Sequence, residues 1–283
     1  MPRAAWITDI HLNFVKPDKH REFLDAVRRE KPDQIWLGGD TGESETLTSY
    51  LTELAEALKV PIYFVLGNHD YYNNSFGGVQ ASVRDLVDRS KVLHWMPLEG
   101  LVKLAPGVGL IGHGGWADGR YGDFAHSTVL LNDYLTIADF KALLGPEVEG
   151  LPAPIMERMQ ASAPARLAKL NALGDASAAW LKQHLPAAAK SCSRLYVLTH
   201  VPPFKEACWY EGKQSDDNYL PHFSNKVFGD VLREVAQAQP ECRMTVLCGH
   251  THGEGRVQIL PNLEVLTGGA TYGAPYVQQC FEW

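Results

Sequence analysis

The pattern of apolar runs in this chain predicts an α/β fold built on two sheets. Three short buried strands alternate with two amphipathic helices before residue 70, and the links between them are short. This order is typical of a parallel sheet with right-handed crossovers. From about residue 92 the strands are separated by Gly and Pro turns, which predicts a second, more antiparallel sheet.

The elements of the first half follow one another closely. Apolar runs predict strands, and apolar residues at three- and four-residue spacing predict helices. The predicted elements are strands at 4–8, 34–37 and 62–66 and helices at 19–30, 45–58 and 82–88. Each strand ends in Gly or polar residues, and the carboxyl ends of such strands are where open α/β sheets bind ligands.

The second half alternates strands with one long helical stretch. Strands are predicted at 92–96, 101–104, 108–112, 195–198, 244–247, 257–260, 264–266 and 276–281. Helices are predicted at 129–144, 161–184 and 225–237, with a Gly- and Pro-rich link at 145–154. We interpret residues 117–190 as a helical excursion within a single domain of residues 1–283. It either closes over a site or mediates dimerisation.

Composition limits the classes of function. The chain has 283 residues and a net charge of −7 without long blocks of like charge, so a broad nucleic-acid-binding surface is not expected. The five cysteines show no CxxC spacing, which argues against a disulfide framework or a structural zinc site. No apolar run reaches membrane-spanning length and no signal peptide is recognised, so we expect a cytoplasmic protein without a membrane partner.

Metal-binding side chains follow five of the predicted strands. Taken alone, the Gly-Asn-His-Asp at 67–70 is equally well explained as a polar turn. The complete set is Asp9, His11, Asp40, Asn68, His69, Asp70, His200, His250 and His252. Carboxylate and imidazole groups suit first-row divalent metals. Even seven such ligands are too many for one open site, and they suit two metals that share a bridging carboxylate.

The order of these motifs resembles the calcineurin-like metallophosphoesterase superfamily. The matching motifs are Asp9-x-His11, Gly39-Asp40, Gly67-Asn68-His69-Asp70, His200 and Gly249-His250-x-His252. They span residues 9–252, and five motifs in this order are far more specific than any one of them. The resemblance implies a four-layer α/β/β/α sandwich of two mixed sheets flanked by helices.

The resemblance also implies a role for each of these residues. Asp9, His11 and His252 would hold one divalent metal ion, Asn68, His200 and His250 a second, and Asp40 would bridge the two. The ions would be Mn, Fe, Zn, Ni or Co, and a metal-bridging hydroxide would attack phosphorus in line. His69 would be the general acid or a phosphate-binding cation, with Asp70 orienting its ring.

Departures from sister groups narrow the implied activity. Thr41-Gly42-Glu43-Ser44 follows Asp40, without the arginine of protein phosphatases or the tyrosine of purple acid phosphatases. His69 stands where hydrolases of the lipid A pathway usually have arginine. The chain therefore looks most like cyclic-nucleotide-phosphodiesterase-like bacterial members. We favour hydrolysis of a small phosphodiester; the alternatives are a phosphomonoesterase acting on a nucleotide, sugar phosphate or phosphoprotein, and, more remotely, a non-catalytic scaffold.

Residues that would contact the substrate are less clearly marked. His113, Arg120 and Tyr121 follow the predicted strand at 108–112, and His222 lies in a polar-aromatic loop at 204–223. All four are candidates for binding a small phosphate ester. Packing in the core or on the surface explains the first three equally well, and for His222 a self-packed aromatic loop is the favoured explanation.

Overall fold

The computed structural model describes residues 1–145 and 155–283, and its first sheet has five strands. Along the sheet they are ordered β13, β1, β2, β3, β4, and all pairs are parallel except β13 with β1. The strands are β1 (Arg3–Ile7), β2 (Gln34–Leu37), β3 (Ile62–Phe64), β4 (Leu93–Trp95) and β13 (Gln279–Glu282). The parallel order confirms the βαβ pattern predicted for the first half.

The second sheet has six strands in the order β11, β12, β10, β7, β6, β5. They are β5 (Val102–Ala105), β6 (Val108–Gly112), β7 (Arg194–Leu198), β10 (Arg243–Cys248), β11 (Gly255–Leu260) and β12 (Leu263–Thr267). The four central strands are parallel, and only the two edge pairs are antiparallel. A separate two-stranded hairpin consists of β8 (Trp209–Tyr210) and β9 (Lys213–Gln214).

Helices cover the outer face of each sheet. The longer ones are α1 (Pro17–Arg29), α2 (Ser44–Leu58), α3 (Phe76–Val87), α7 (Ile155–Ser191) and α9 (Lys226–Ala238). The shorter ones are α4 (Met96–Glu99), α5 (Asp133–Thr136), α6 (Ala138–Lys141) and α8 (Leu220–Phe223). The first three pack on the first sheet, and α9 with the C-terminal part of α7 packs on the second. The predicted four-layer α/β/β/α sandwich of two mixed sheets is therefore confirmed.

Two predictions about the sheets are wrong. The strand predicted at 92–96 is β4, which pairs in parallel with β3 in the first sheet, so the second sheet begins at β5. The second sheet is also mainly parallel. The prediction failed because short strands bounded by Gly and Pro turns do not reveal which distant strand they pair with.

The helical excursion also differs from its prediction. The helix predicted at 129–144 is divided at Ile137, whose extended backbone separates α5 from α6. The helix predicted at 161–184 is the longer α7, which continues past Pro186 and forms part of the sandwich. After Gly145, the predicted link at 145–154 lies outside the described residues. None of the described helices combines the length and hydropathy required of a transmembrane span.

Trp36 on β2 joins the two sheets in the middle of the sandwich. Its side chain is fully buried, and its ring centroid lies 4.7 Å from that of Tyr196 on β7. Phe281 and Trp283 stack on the same indole at centroid distances of 5.5 and 5.6 Å. Because large aromatic side chains bury the most apolar area, this cluster is a main source of adhesion between the sheets.

We expect Trp36→Ala to lower the free energy of unfolding by about 3–5 kcal/mol, because it leaves a large cavity between the sheets. Urea denaturation at constant slope measures the change. Leu98→Ala is the matched control: Leu98 is 44% exposed, and its loss should change stability by less than about 0.5 kcal/mol. Equal effects of the two substitutions would show that Trp36 has no special role.

Candidate metal centre

The seven predicted ligands lie on turns that follow the carboxyl ends of five strands. Asp9 and His11 follow β1, Asp40 follows β2, Asn68 follows β3, His200 follows β7, and His250 and His252 follow β10. The two sheets face each other, so these turns meet at one edge of the sandwich. A continuous set of contacts of 2.9–3.7 Å connects all seven side chains.

The backbone at this edge is locally strained. Among the described residues, nine non-glycine residues have positive φ, and five of them are predicted ligands. Those five are Asp9, His11, Asp40, His250 and His252, with φ between 40° and 70°. Left-handed conformations of non-glycine residues cost free energy and concentrate at functional sites. Here they lie in the turns after β1, β2 and β10, where they turn the chain sharply beyond the strand ends.

The first ligand group consists of Asp9, His11, Asp40 and His252. One ligand atom of each lies within 4.8 Å of the others. His11 Nε2 and His252 Nε2 are 3.0 Å apart, and His252 Nε2 is 3.6 Å from Asp9 Oδ1. The spacing and the donor set, two carboxylates and two imidazoles, fit a divalent transition-metal ion.

The second ligand group consists of Asn68, His200 and His250. Asn68 Oδ1 lies 3.0 Å from His200 Nε2 and 2.9 Å from His250 Nδ1. Asp40 lies between the two groups: its Oδ1 is 3.5 Å from His200 Nε2, and its Oδ2 is 3.7 Å from His11 Nε2. One carboxylate oxygen therefore faces each group, as a bridging ligand requires.

The hydrogen-bond geometry of the second group suits a cation. His200 Nδ1 faces the carbonyl oxygen of Gly38 at 2.9 Å, and His250 Nε2 faces that of His222 at 3.1 Å. Because a carbonyl only accepts, these nitrogens carry protons. The other nitrogen of each ring faces the amide oxygen of Asn68, and where that nitrogen is unprotonated the two acceptors repel each other. A divalent ion between them would convert this repulsion into coordination.

The charges of the site support the same conclusion. Asp9 and Asp40 are buried, and among the described residues neither is paired with a lysine or arginine. Burial and the neighbouring charges of Asp9 and Asp70 raise the pKa of Asp40 well above its usual range. Burial lowers the pKa of His11 to about 2 and that of His250 to about 3, so both rings are neutral, which is the form that binds metal.

Asp70 was predicted to orient the ring of His69, but its contacts lie elsewhere. Its carboxylate accepts hydrogen bonds of 2.8–3.1 Å from the backbone amides of Asp40, Thr41, Gly42 and Gly67. Within the described chain, Nδ1 of His69 is buried and has no hydrogen-bond partner. Asp70 therefore anchors the two turns that carry Asp40 and Asn68, rather than orienting His69.

His69 lies beside the first ligand group at the wall of a cleft. Its ring stacks on Tyr72 at a centroid distance of 4.3 Å, and its Nε2 is 3.5 Å from the phenol of Tyr272. Burial and the neighbouring histidines His252 and His200 lower the pKa of His69 to about 3. A bound phosphate anion would oppose this effect, because negative charge stabilises the imidazolium form.

A cleft of about 290 Å³ opens directly onto the ligands, and we call it the metal-side cleft. Besides His69 and ligands from both groups, it is lined by Tyr72, Leu130, Leu131, Asn132, Asp133, Tyr210, Thr251, Phe223 and Tyr272. Residues 130–133 come from the helical excursion, which therefore closes one side of the cleft. No motif marks these four positions in the sequence, whereas Tyr210 and Phe223 belong to the predicted aromatic loop.

His222, predicted to contact the substrate, is buried in a hydrogen-bond network instead. Its Nδ1 lies 2.6 Å from the hydroxyl of Tyr134, and its Nε2 lies 2.9 Å from that of Ser127. Both ring nitrogens are therefore occupied. The backbone carbonyl of His222, not its side chain, contributes to the site by accepting from His250.

The other three predicted substrate contacts also lie outside the lining of the metal-side cleft. Arg120 is occupied by ion pairs with Asp118 and Asp175, at 3.4 and 2.8 Å. Tyr121 packs in a small apolar cluster. His113 lines a separate cavity of about 160 Å³. Position after a strand end did not separate these residues from the predicted ligands, because it does not reveal distant partners such as the Asp175 that occupies Arg120.

Comparisons with known proteins agree with this geometry. The family model described as calcineurin-like phosphoesterase matches residues 2–254. A dimetal phosphatase from Danio rerio is similar in structure, with a TM-score of 0.56 and 14% identity over 96% of this chain and 88% of that one. Phosphopantetheinyl hydrolase from Mycobacterium tuberculosis has a TM-score of 0.58 and 12% identity over 96% and 90%. A search of curated proteins finds no match.

The two solved structures share the fold at low identity, and the family model covers nearly the whole chain, including all seven predicted ligands. The chain therefore belongs to the calcineurin-like phosphoesterase family.

Proposed function

We propose that this phosphoesterase hydrolyses small phosphodiesters with an apolar or aromatic ester group. The observation that carries the proposal is the lining of the metal-side cleft. Four aromatic side chains and two leucines line it, and the described lining contains no lysine or arginine. A phosphomonoester dianion gains from an additional cation, whereas a diester carries one negative charge and a second organic group. The cleft suits the diester.

The ligand assignment is part of the same proposal. Asp9, His11 and His252 would hold one divalent ion, Asn68, His200 and His250 would hold the other, and Asp40 would be shared between them. When bound, such ions polarise the phosphoryl oxygens and lower the pKa of a water nucleophile. The metals are Mn, Fe, Zn, Ni or Co. A cytoplasmic location stays a prediction.

The residues of the chain have distinct tasks in this reaction. Asp70 holds the turn that carries Asp40 in place by accepting hydrogen bonds from four backbone amides. His69 presents Nε2 to the cleft, where it is placed to give a proton to the departing ester oxygen. Tyr72 and Tyr272 flank His69 and restrict where the ester groups lie.

A paired assay tests the substrate class. We expect metal-reconstituted protein to hydrolyse bis(p-nitrophenyl) phosphate with a higher kcat/KM than p-nitrophenyl phosphate, and a chelator to abolish both activities. The release of p-nitrophenolate measures both rates. A preference for the monoester would support the phosphomonoesterase alternative, and metal binding without turnover would support a scaffold.

Replacement of the bridging ligand tests the two-metal assignment. We expect Asp40→Asn to weaken the binding of both metal ions, since it removes a ligand from each. The loss of affinity should exceed the roughly 10- to 100-fold typical of outer-shell changes. Elemental analysis after dialysis measures the metal content. Asp18→Asn, at an exposed carboxylate, is the control and should retain wild-type content. Undiminished metal in Asp40→Asn would disprove the bridge.

Replacement of His69 tests proton transfer. We expect His69→Ala to slow diesters with alkoxide leaving groups by about 10²- to 10⁴-fold, and those with p-nitrophenolate much less, because only the poor leaving group needs a proton. Rates on the two substrate types are compared at equal metal content. His126→Ala, at an exposed histidine, is the control. Equal losses on both substrates would count against a general acid.

A further inference from the structure

The second ligand group depends on which way the Asn68 amide faces. With Oδ1 towards His200 Nε2 and His250 Nδ1, the group presents three unshared pairs to a metal ion. With the amide turned by 180°, Nδ2 would instead donate hydrogen bonds to those two nitrogens. The turned amide would satisfy all three side chains without a metal and would leave no oxygen ligand.

Asp133 on α5 favours the first orientation. Its Oδ1 accepts a hydrogen bond of 2.9 Å from Asn68 Nδ2 and one of 2.7 Å from the Tyr72 hydroxyl. The Tyr72 oxygen lies 3.4 Å from the same Nδ2. Asp133, Asn68 and Tyr72 are all buried, so water does not substitute for these bonds.

Turning the amide would place its oxygen against Asp133. Two acceptors would then face each other in a buried site, which costs free energy because the Asn68 oxygen would lack a donor and Asp133 would keep only the hydrogen bond from Tyr72. Asp133 thus opposes the turned orientation of the Asn68 amide, in which Nδ2 would donate to the two histidines.

We propose that Asp133 is a positioning residue that holds the Asn68 amide oxygen towards the second metal ion. The proposal rests on the proposed two-metal site but not on its substrate. The helical excursion then has a second role besides forming a wall of the metal-side cleft. Through Asp133 on α5 it supplies the hydrogen-bond acceptor that keeps the second ligand group able to bind metal.

Metal binding tests the proposal without reference to activity. Co²⁺ is titrated into metal-free protein and followed by calorimetry and visible absorption. Unlike a carboxylate, an amide at position 133 can itself turn and donate to the oxygen of a turned Asn68, so it no longer fixes the orientation of Asn68. We therefore expect Asp133→Asn to weaken binding of the second ion by about 10- to 100-fold, as outer-shell changes do, and to leave binding of the first ion unchanged. If this variant is unstable, Tyr72→Phe removes one of the two bonds to Asp133 and should weaken the second ion in the same way, but less.

Asp139→Asn is the matched control for the excursion. Asp139 lies on α6 and ties the excursion to the rest of the chain by accepting from the Phe76 amide at 2.9 Å and from Lys169 Nζ at 3.0 Å. It does not contact Asn68. Both ions should bind Asp139→Asn as they bind the wild type. Weakening of both ions alike by Asp133→Asn, or no weakening, would overturn the proposal.

A double-substitution cycle separates orientation from packing. Asn68→Asp replaces the two-sided amide by a carboxylate that presents oxygen whichever way it faces. In the Asn68→Asp variant, Asp133→Asn should not weaken binding of the second ion. It should instead strengthen that binding by removing a like charge. The same loss in both backgrounds would show that Asp133 acts through packing alone.

Discussion

Four backbone amides donate to the carboxylate of Asp70, and the metal edge of the protein depends on this interaction. Three of the amides belong to the turn after β2 and one to the turn after β3. The turns approach so closely that a Cβ on Gly67 would overlap the carboxylate of Asp40. Asp70 thereby holds Asp40 where its two oxygens face different ligand groups.

This scaffold concentrates groups that repel one another. Asp9, Asp40 and Asp70 are buried close together, and the neutral histidines direct unshared pairs into the same volume. Charged groups in a protein interior are normally paired or bound to metal. The hydrogen bonds that fix the ligands, from Thr8 to Asp9 and from the backbone of His250 to Asp9, fix their positions without neutralising them. The edge is therefore organised for cations.

Two parts of the chain form different features of this edge. The sheet turns provide the ligands, and the segments 130–133 and 210–223 provide the walls of the metal-side cleft. The walls come from regions with few regular elements, where substitutions are better tolerated by the sandwich than in its strands. The contact between Asp133 and Asn68 joins the two parts, so a residue of the wall affects a residue of the metal centre.

Much of this protein was predictable from local sequence. The parallel strands of the first half were predicted because buried strands and amphipathic helices have distinct periods. The ligands were predicted because metal-binding side chains follow directly after strand ends, where an α/β fold gathers them. The resemblance to a known family added the four layers and the pairing of ligands, which depend on motif order.

What the sequence by itself determined was therefore which metal-binding side chains follow the strand ends and, through the order of these motifs, the layered fold. Only the tertiary structure decided which side chains line the cleft. His222 and Arg120 were expected there, but long-range partners occupy them. Asp133 was not expected, since it meets Asn68 across 65 residues of sequence. Contacts between distant segments leave no local periodicity, and so only folding reveals them.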